Sequence, residues 1–273
     1  MILDDEINLL DYLSNGKSTR HATLIDPEKQ SPEEASMICQ TAIEAGTDLI
    51  LIGGSTTDKS SVDRTVEVIQ ETMELQHWAS TQNGIFDEQK TTVPVLLFPN
   101  ASSTLTNKSD GILFMSLLNG KSPKYIVEEQ RKATEFIKNY NITTISTAYL
   151  IFEPGMKVGN VSNADLINTE DTDKIKSWIR LAEYFKFSIL YLEAGSGAFP
   201  PLNEKIIKIA KNEYNGILFV GGGIRTPEQA REAVNGGANW IVTGNLIESF
   251  ENYNLLKTKL KILIDNIKKP PDG

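Results

Sequence analysis

One cysteine, two histidines and no apolar run long enough to cross a bilayer set the limits of this 273-residue chain. A lone Cys39 excludes an internal disulfide framework and a thiolate metal cluster. His21 and His77 lie far apart and make no metal-ligand pattern. A spanning helix needs about 18 to 20 consecutive apolar residues, so no membrane span is expected. The first residues, MILDDEINLL, are acidic and lack the basic flank and apolar centre of a signal peptide. Positive charge is also short: 27 Lys and Arg stand against 36 Asp and Glu, a formal net charge of −9. Such a surface repels a phosphate backbone, which argues against nucleic-acid binding. These absences point to a soluble, cytoplasmic protein.

The chain has what a large core needs, with 40% apolar and 23% charged residues. Eight short apolar runs punctuate it: His21–Asp26, Asp48–Gly54, Pro94–Pro99, Gly111–Leu117, Thr143–Phe152, Ser188–Ala194, Gly216–Gly222 and Ala238–Gly244. They are continuous rather than alternating, as in a parallel sheet covered on both faces. Helical patterns lie between them. Ser31-Pro32-Glu33-Glu34 and Thr226-Pro227-Glu228 each put a cap, a proline and an acid at a helix start. Lys124–Asn139, Asp171–Phe187 and Leu246–Ile267 have helical spacing, and Asp4–Leu13 reads as an extra N-terminal helix. The third helix, around Ala101–Lys108, is short, Ser/Thr-rich and poorly formed. Eight strands alternating with helices predict a single (β/α)8 barrel domain over residues 1–273. An open doubly wound sheet is disfavoured, because LIDPEKQ after the first strand is nothing like a G-x-G-x-x-G turn. Two stretches are long and polar, Gln76–Thr92 and Glu153–Glu170, and the second reads as a lid or binding segment.

Barrel enzymes gather their chemistry at the C-terminal ends of the strands. The first strand ends in Asp26, a carboxylate that a metal or a proton could use; Ser31 already supplies the next helix cap. Lys29 nearby suits a phosphate or plain solvation equally. The second ends in Gly53-Gly54-Ser55-Thr56-Thr57, whose hydroxyls could ligate Mg²⁺ or cap a helix. Asn119 after the fourth strand reads as a turn former. The sixth ends in Tyr191-Leu192-Glu193-Ala194-Gly195-Ser196-Gly197. Glu193 directly follows strongly β-forming residues and must face the mouth or lose solvation for nothing, while the glycine turn suits an anion nest. The last two strands end in Gly221-Gly222-Gly223 and Thr243-Gly244-Asn245, where phosphate sites recur in this fold. Cys39, Trp178 and Trp240 read as packing residues, and Trp78 is open either way.

With these motifs in place, the chain resembles the geranylgeranylglyceryl phosphate synthases of ether-lipid synthesis. HATLIDPEKQ, LILIGGST, ILFMSLLNG, AYLIFEPGMKVG, YLEAGSGA, VGGGIRTPEQA and IVTGN carry the resemblance from about His21 to Leu246. EPGMKVG and the long helical C-terminus are similar to the second of the family's two groups. The resemblance implies transfer of a geranylgeranyl group from geranylgeranyl diphosphate to the 3-hydroxyl of sn-glycerol 1-phosphate. It implies Mg²⁺ on Asp26 and Ser55, and Glu193 as general base. It also implies glycerol phosphate held by Tyr191, Leu192, Glu193, Ala194, Gly195, Ser196, Gly197, Gly222, Gly223, Gly244 and Asn245. A homo-oligomer, dimer or hexamer, is implied too, with peripheral membrane contact for the lipid substrate at most. One departure is Asn160, where the family pattern suggests tryptophan. The chain lacks a DDxxD pair, so it is not an all-helical prenyltransferase. Leu117, Tyr149, Ile151 and Phe152 are candidates for the prenyl groove. Competing readings are a heptaprenylglyceryl phosphate synthase, a phosphosugar-processing barrel enzyme and a non-catalytic phosphate binder. The second would need a Schiff-base lysine or another acid/base at a strand end, and Lys29 and Lys157 lie in loops.

Overall fold

Strands buried on both faces must be apolar throughout, and the eight runs above become eight parallel strands. They are β1 (Arg20–Ile25), β2 (Leu49–Ile52), β3 (Val95–Leu97), β4 (Gly111–Leu117), β5 (Thr144–Ile151), β6 (Ile189–Glu193), β7 (Ile217–Gly221) and β8 (Trp240–Thr243). In this computed structural model, which describes residues 8–82, 93–248 and 252–272, they close into a barrel in chain order. The seam is β1 against β8, with Thr23 opposite Thr243.

The helices are α1 (Leu9–Ser14), α2 (Pro32–Ala45), α3 (Lys59–Gln82), α4 (Glu129–Tyr140), α5 (Met156–Val161), α6 (Thr172–Tyr184), α7 (Glu204–Glu213), α8 (Pro227–Asn235), α9 (Asn245–Glu248) and α10 (Tyr253–Ile267). Both expected proline starts are capping boxes, Ser31 with Glu34 and Thr226 with Gln229. Between β3 and β4 the described chain makes only a 3₁₀ turn, Ser102–Thr104, in keeping with the poorly formed third helix. The expected helix Leu246–Ile267 is instead two, α9 and α10. The expected Asp4–Leu13 helix is α1 where described, and residues 4–7 lie outside the described residues. Residues 76–82 of the long polar stretch extend α3, and 83–92 lie outside the description. The segment 153–170 folds partly as α5. Among the described residues, no helix is long and apolar enough to cross a membrane.

Alternation along each strand sorts side chains into two layers. Leu190, Leu192, Leu218 and Val220 point outward into the layer beneath the helices. Tyr191, Phe219 and Trp240 point inward. The inward rings form a continuous column. Trp240 stacks on Phe219 at 5.4 Å, Phe219 meets Tyr191 at 6.0 Å, and Tyr191 meets Tyr149 and Phe98 at 5.3 and 5.4 Å. At the floor, α1 plugs the barrel with Leu9 and Leu13. Trp240 Nε1 donates to the Leu13 carbonyl at 3.0 Å, and the Arg20 guanidinium lies 4.0 Å from the Trp240 ring. His21 is buried on the outer face, with Nδ1 2.8 Å from Thr47 Oγ1 and Nε2 2.9 Å from Thr243 Oγ1. Burial, helped by Lys268, pushes its pKa down to about 3, so it is a neutral structural link rather than a ligand.

The column lifts Tyr191 and Tyr149 to the C-terminal end of the strands, and Phe219 is its central ring. Phe219→Ala should destabilise the protein by about 3–5 kcal/mol, read as a lowered urea midpoint with little change in m.

Candidate active site

Glu193, the last residue of β6, faces inward and is 6% exposed. Its Oε1 accepts from the Gly195 N–H at 2.6 Å, and Tyr191 hydrogen-bonds the same carboxyl. Burial raises its pKa from 4.5 to about 7, against the lowering effect of those two hydrogen bonds. Gly222 leaves the room this requires. A Cβ there would stand 2.4 Å from Glu193 Oε1, and its φ of +89° is a conformation that glycine adopts readily. A carboxyl group titrating near neutrality on a cavity wall is suited to take a proton from a bound hydroxyl.

The turns after β7 and β8 stand beside it. Among the described residues, no acceptor within the chain meets the N–H groups of Gly222, Gly223 or Gly244. All three glycines line the same cavity as Glu193, with Tyr191, Ser196 and Asn245. The turn after β6 differs from the expected nest. Its Gly195 and Gly197 N–H groups are already used, by Glu193 and by Asn245 Oδ1 at 2.6 Å. Asn245 Nδ2 reaches Ser196 Oγ at 2.9 Å, so one side chain staples the β8 turn to the β6 turn. Leu192 and Ala194 turn away into the outer core, which leaves only their backbone to the site.

Across the mouth, Asp26 follows β1. Its Oδ1 accepts from the Glu28 N–H at 3.0 Å, and Oδ2 lies 3.9 Å from Lys29 Nζ. Burial raises its pKa, partly offset by the Glu28 N–H and by Lys29. Gly54 packs so closely that a Cβ would stand 2.1 Å from Asp26 Oδ1, and Ser55 follows on the same lip of the cavity. Lys29 pairs with Glu248 of α9 at 2.7 Å. From the other side, Lys157 of α5 reaches Glu28 Oε2 at 3.1 Å and Thr56 Oγ1 at 2.9 Å. Hard oxygen donors on one rim, at Asp26 and Ser55, suit Mg²⁺ completed by water and substrate oxygens. Among the described residues, no group of three or more His, Cys, Asp or Glu gathers as a metal cage.

The cavity, about 280 Å³, continues from this polar end into an apolar arm. Leu117 and Tyr149 line it as expected, whereas Ile151 and Phe152 are packed away in the core. Other residues of the arm, among them Phe98, Leu105, Ile112, Phe114, Val158 and Val161, carried no signal of their own in the sequence. Ile112 and Phe114 lie on the outer face of β4, reached because a full helix is missing between β3 and β4. The thin helical pattern at 101–108 was the one available signal. Asn119 is more than a turn former: it is buried, and its Nδ2 donates to the carbonyls of Ile151 and Asp165, both at 2.8 Å. Asn160 is exposed on α5 and is not on the cavity wall.

Comparison with known proteins bears on this arrangement. The model of the PcrB family matches residues 15–263. A geranylgeranylglyceryl phosphate synthase of Thermoplasma volcanium is 41% identical over 239 residues, covering 87% of this chain and 88% of that protein. The solved wild-type structure of the synthase from Thermoplasma volcanium superposes with a TM-score of 0.83 at 38% identity, covering 97% of each chain. A second solved structure is the Thermoplasma acidophilum (S)-3-O-geranylgeranylglyceryl phosphate synthase in complex with substrate sn-glycerol 1-phosphate. It gives 0.81 at 37% identity, covering 92% of this chain and 94% of that one.

The raised pKa of Glu193 makes it a cost to folding at alkaline pH. Below about pH 4.5 the group is protonated in both states and costs nothing. As pH rises toward 7 the unfolded chain ionises first, so stability falls, by about 3 kcal/mol once the folded pKa of about 7 is passed. Glu193→Gln should therefore be more stable than the wild type at pH 8 and equal to it near pH 4, as read from urea midpoints at the two pH values.

Proposed function

This chain belongs to the PcrB family, and from that premise we propose that it transfers a geranylgeranyl group from geranylgeranyl diphosphate to the 3-hydroxyl of sn-glycerol 1-phosphate. The observation that carries this reading is the continuity of one cavity. It joins a buried carboxylate and free backbone N–H groups at one end to an apolar arm over β4 at the other. A phosphosugar enzyme would have no use for such an arm.

The N–H groups of Gly222, Gly223 and Gly244, with the Ser196 hydroxyl, receive the phosphate of glycerol phosphate. Asn245 fixes the two turns against each other and so holds that phosphate at a set distance from Glu193. The glycerol 3-hydroxyl then lies against the Glu193 carboxylate, which takes its proton as the oxygen attacks the first carbon of the prenyl group. The new C–O bond forms while the bond to diphosphate breaks, its electron pair leaving with diphosphate. Asp26 and Ser55 are the residues that would hold Mg²⁺, whose charge offsets the negative charge growing on the leaving diphosphate. Tyr149, Phe98 and Phe114 receive the isoprenoid and exclude water from the reacting carbon. The reading extends to a Mg²⁺-dependent, cytoplasmic homo-oligomer, dimer or hexamer, that meets membranes only peripherally. The exposed rings of Tyr184, Phe185 and Phe199 are apolar surface consistent with contacts of that kind.

The deciding assay combines radiolabelled glycerol 1-phosphate with a series of prenyl diphosphates and Mg²⁺. Product should form with the geranylgeranyl donor. Glu193→Gln should lose about 10²–10⁴-fold in rate while keeping most glycerol phosphate affinity. Wild-type rate should rise with pH through about 7 as Glu193 ionises. Asp26→Asn should lose the Mg²⁺-dependent rate. Preference for a heptaprenyl donor would reassign the chain length, and turnover of phosphosugars alone would overturn the reading.

A further inference from the structure

Six charged side chains line the cavity: Asp26, Lys29, Glu129, Lys157, Glu193 and Glu248. Four are acids, and the two lysines are the side-chain cations on this wall. Lys29 stands on the β8 side, paired with Glu248 at 2.7 Å and close to Asp26. Lys157 stands on the opposite side, and nothing in the reaction described so far uses it.

Its surroundings match one kind of ligand. Lys157 reaches Thr56, the neighbour of Ser55 on the Mg²⁺ rim. The residues that follow on the same short helix, Val158 and Val161, line the apolar arm. One turn of α5 thus presents a cation to the rim and a methyl surface to the groove. A prenyl diphosphate has that order of parts: a polyanionic head joined directly to an apolar chain. The acid that now holds Lys157 is easily exchanged. The Lys157–Glu28 pair is 53% and 41% exposed, and exposed pairs contribute little to stability. A diphosphate offers the ammonium more charge and more acceptors than one carboxylate does.

Resting on the prenyltransferase reading, we propose that Lys157 is the α5 receptor for the donor's diphosphate, exchanging Glu28 for that head group on the same turn whose Val158 and Val161 line the arm for the prenyl chain. Glu28 and Thr56 park the ammonium at the rim between turnovers. The parking contact keeps α5 near its working position, so the exchange needs only a local movement of one side chain.

Titration calorimetry with inorganic diphosphate in excess Mg²⁺ tests this on the wild type, Lys157→Met, Lys157→Arg and Glu28→Gln. Because Lys157 is exposed, none of these changes disturbs the core. Lys157→Met should weaken inorganic diphosphate binding about 10- to 100-fold, the usual effect of losing one charged hydrogen bond. It should raise the KM for geranylgeranyl diphosphate similarly and leave sn-glycerol 1-phosphate affinity unchanged. Lys157→Arg should recover most of the affinity, and Glu28→Gln should bind inorganic diphosphate at least as tightly as the wild type. Undiminished binding by Lys157→Met overturns the assignment, as does a Glu28→Gln loss equal to that of Lys157→Met, which would make the pair merely structural. No binding of inorganic diphosphate to the wild type also overturns it. If the wild type binds inorganic diphosphate through Lys157 yet turns over no prenyl diphosphate, the functional reading fails and the anion site stands.

Discussion

A carboxyl group held out of water is expensive, and the catalytic end of this barrel is organised around one. Glu193 is kept near neutrality by burial and restrained by two donors, the Gly195 N–H and the Tyr191 hydroxyl. Gly222 is glycine because that carboxyl occupies the space a side chain would take. Tyr191 stands where it does because Phe219 and Trp240 fill the barrel beneath it. The geometry of a single buried carboxyl is thus set by packing that reaches down to α1 at the opposite end.

Around that group, polar side chains tie the loops to one another. Asn245 links the β8 turn to the β6 turn, Glu248 links α9 to Lys29, and Lys157 links α5 to Glu28 and Thr56. A parallel barrel brings eight strand ends to one rim, but it does not by itself fix the distances among the loops. Polar contacts between residues far apart in sequence do that here, and each has at least one member, Asn245, Glu248 or Lys157, on the wall of one cavity.

The eight strands were legible because two-sided burial leaves no room for polar residues within a run, and the turns because proline, glycine and caps act locally. Glu193 was legible as an acid where the pattern demanded an apolar residue. The roles of Gly195 and Gly197 were not. Their N–H groups go to Glu193 and Asn245, the latter 48 residues away from Gly197. Nor could the groove be placed from Ile151 and Phe152, apolar residues of the fifth strand run that are packed in the core. Its wall includes Ile112 and Phe114 because a neighbouring helix is absent, and a missing neighbour leaves only a weak mark in the sequence.

That absent helix separates two kinds of wall. A barrel interior filled by stacked rings cannot widen without losing its own support, so the position of Glu193 is tied to the packing beneath it. The slot on the outer face of β4 is bounded instead by half-covered residues such as Phe114, which can be exchanged without disturbing the lumen. A change in that outer wall would reshape the apolar arm while the rim that carries Glu193 and Asp26 stays as it is.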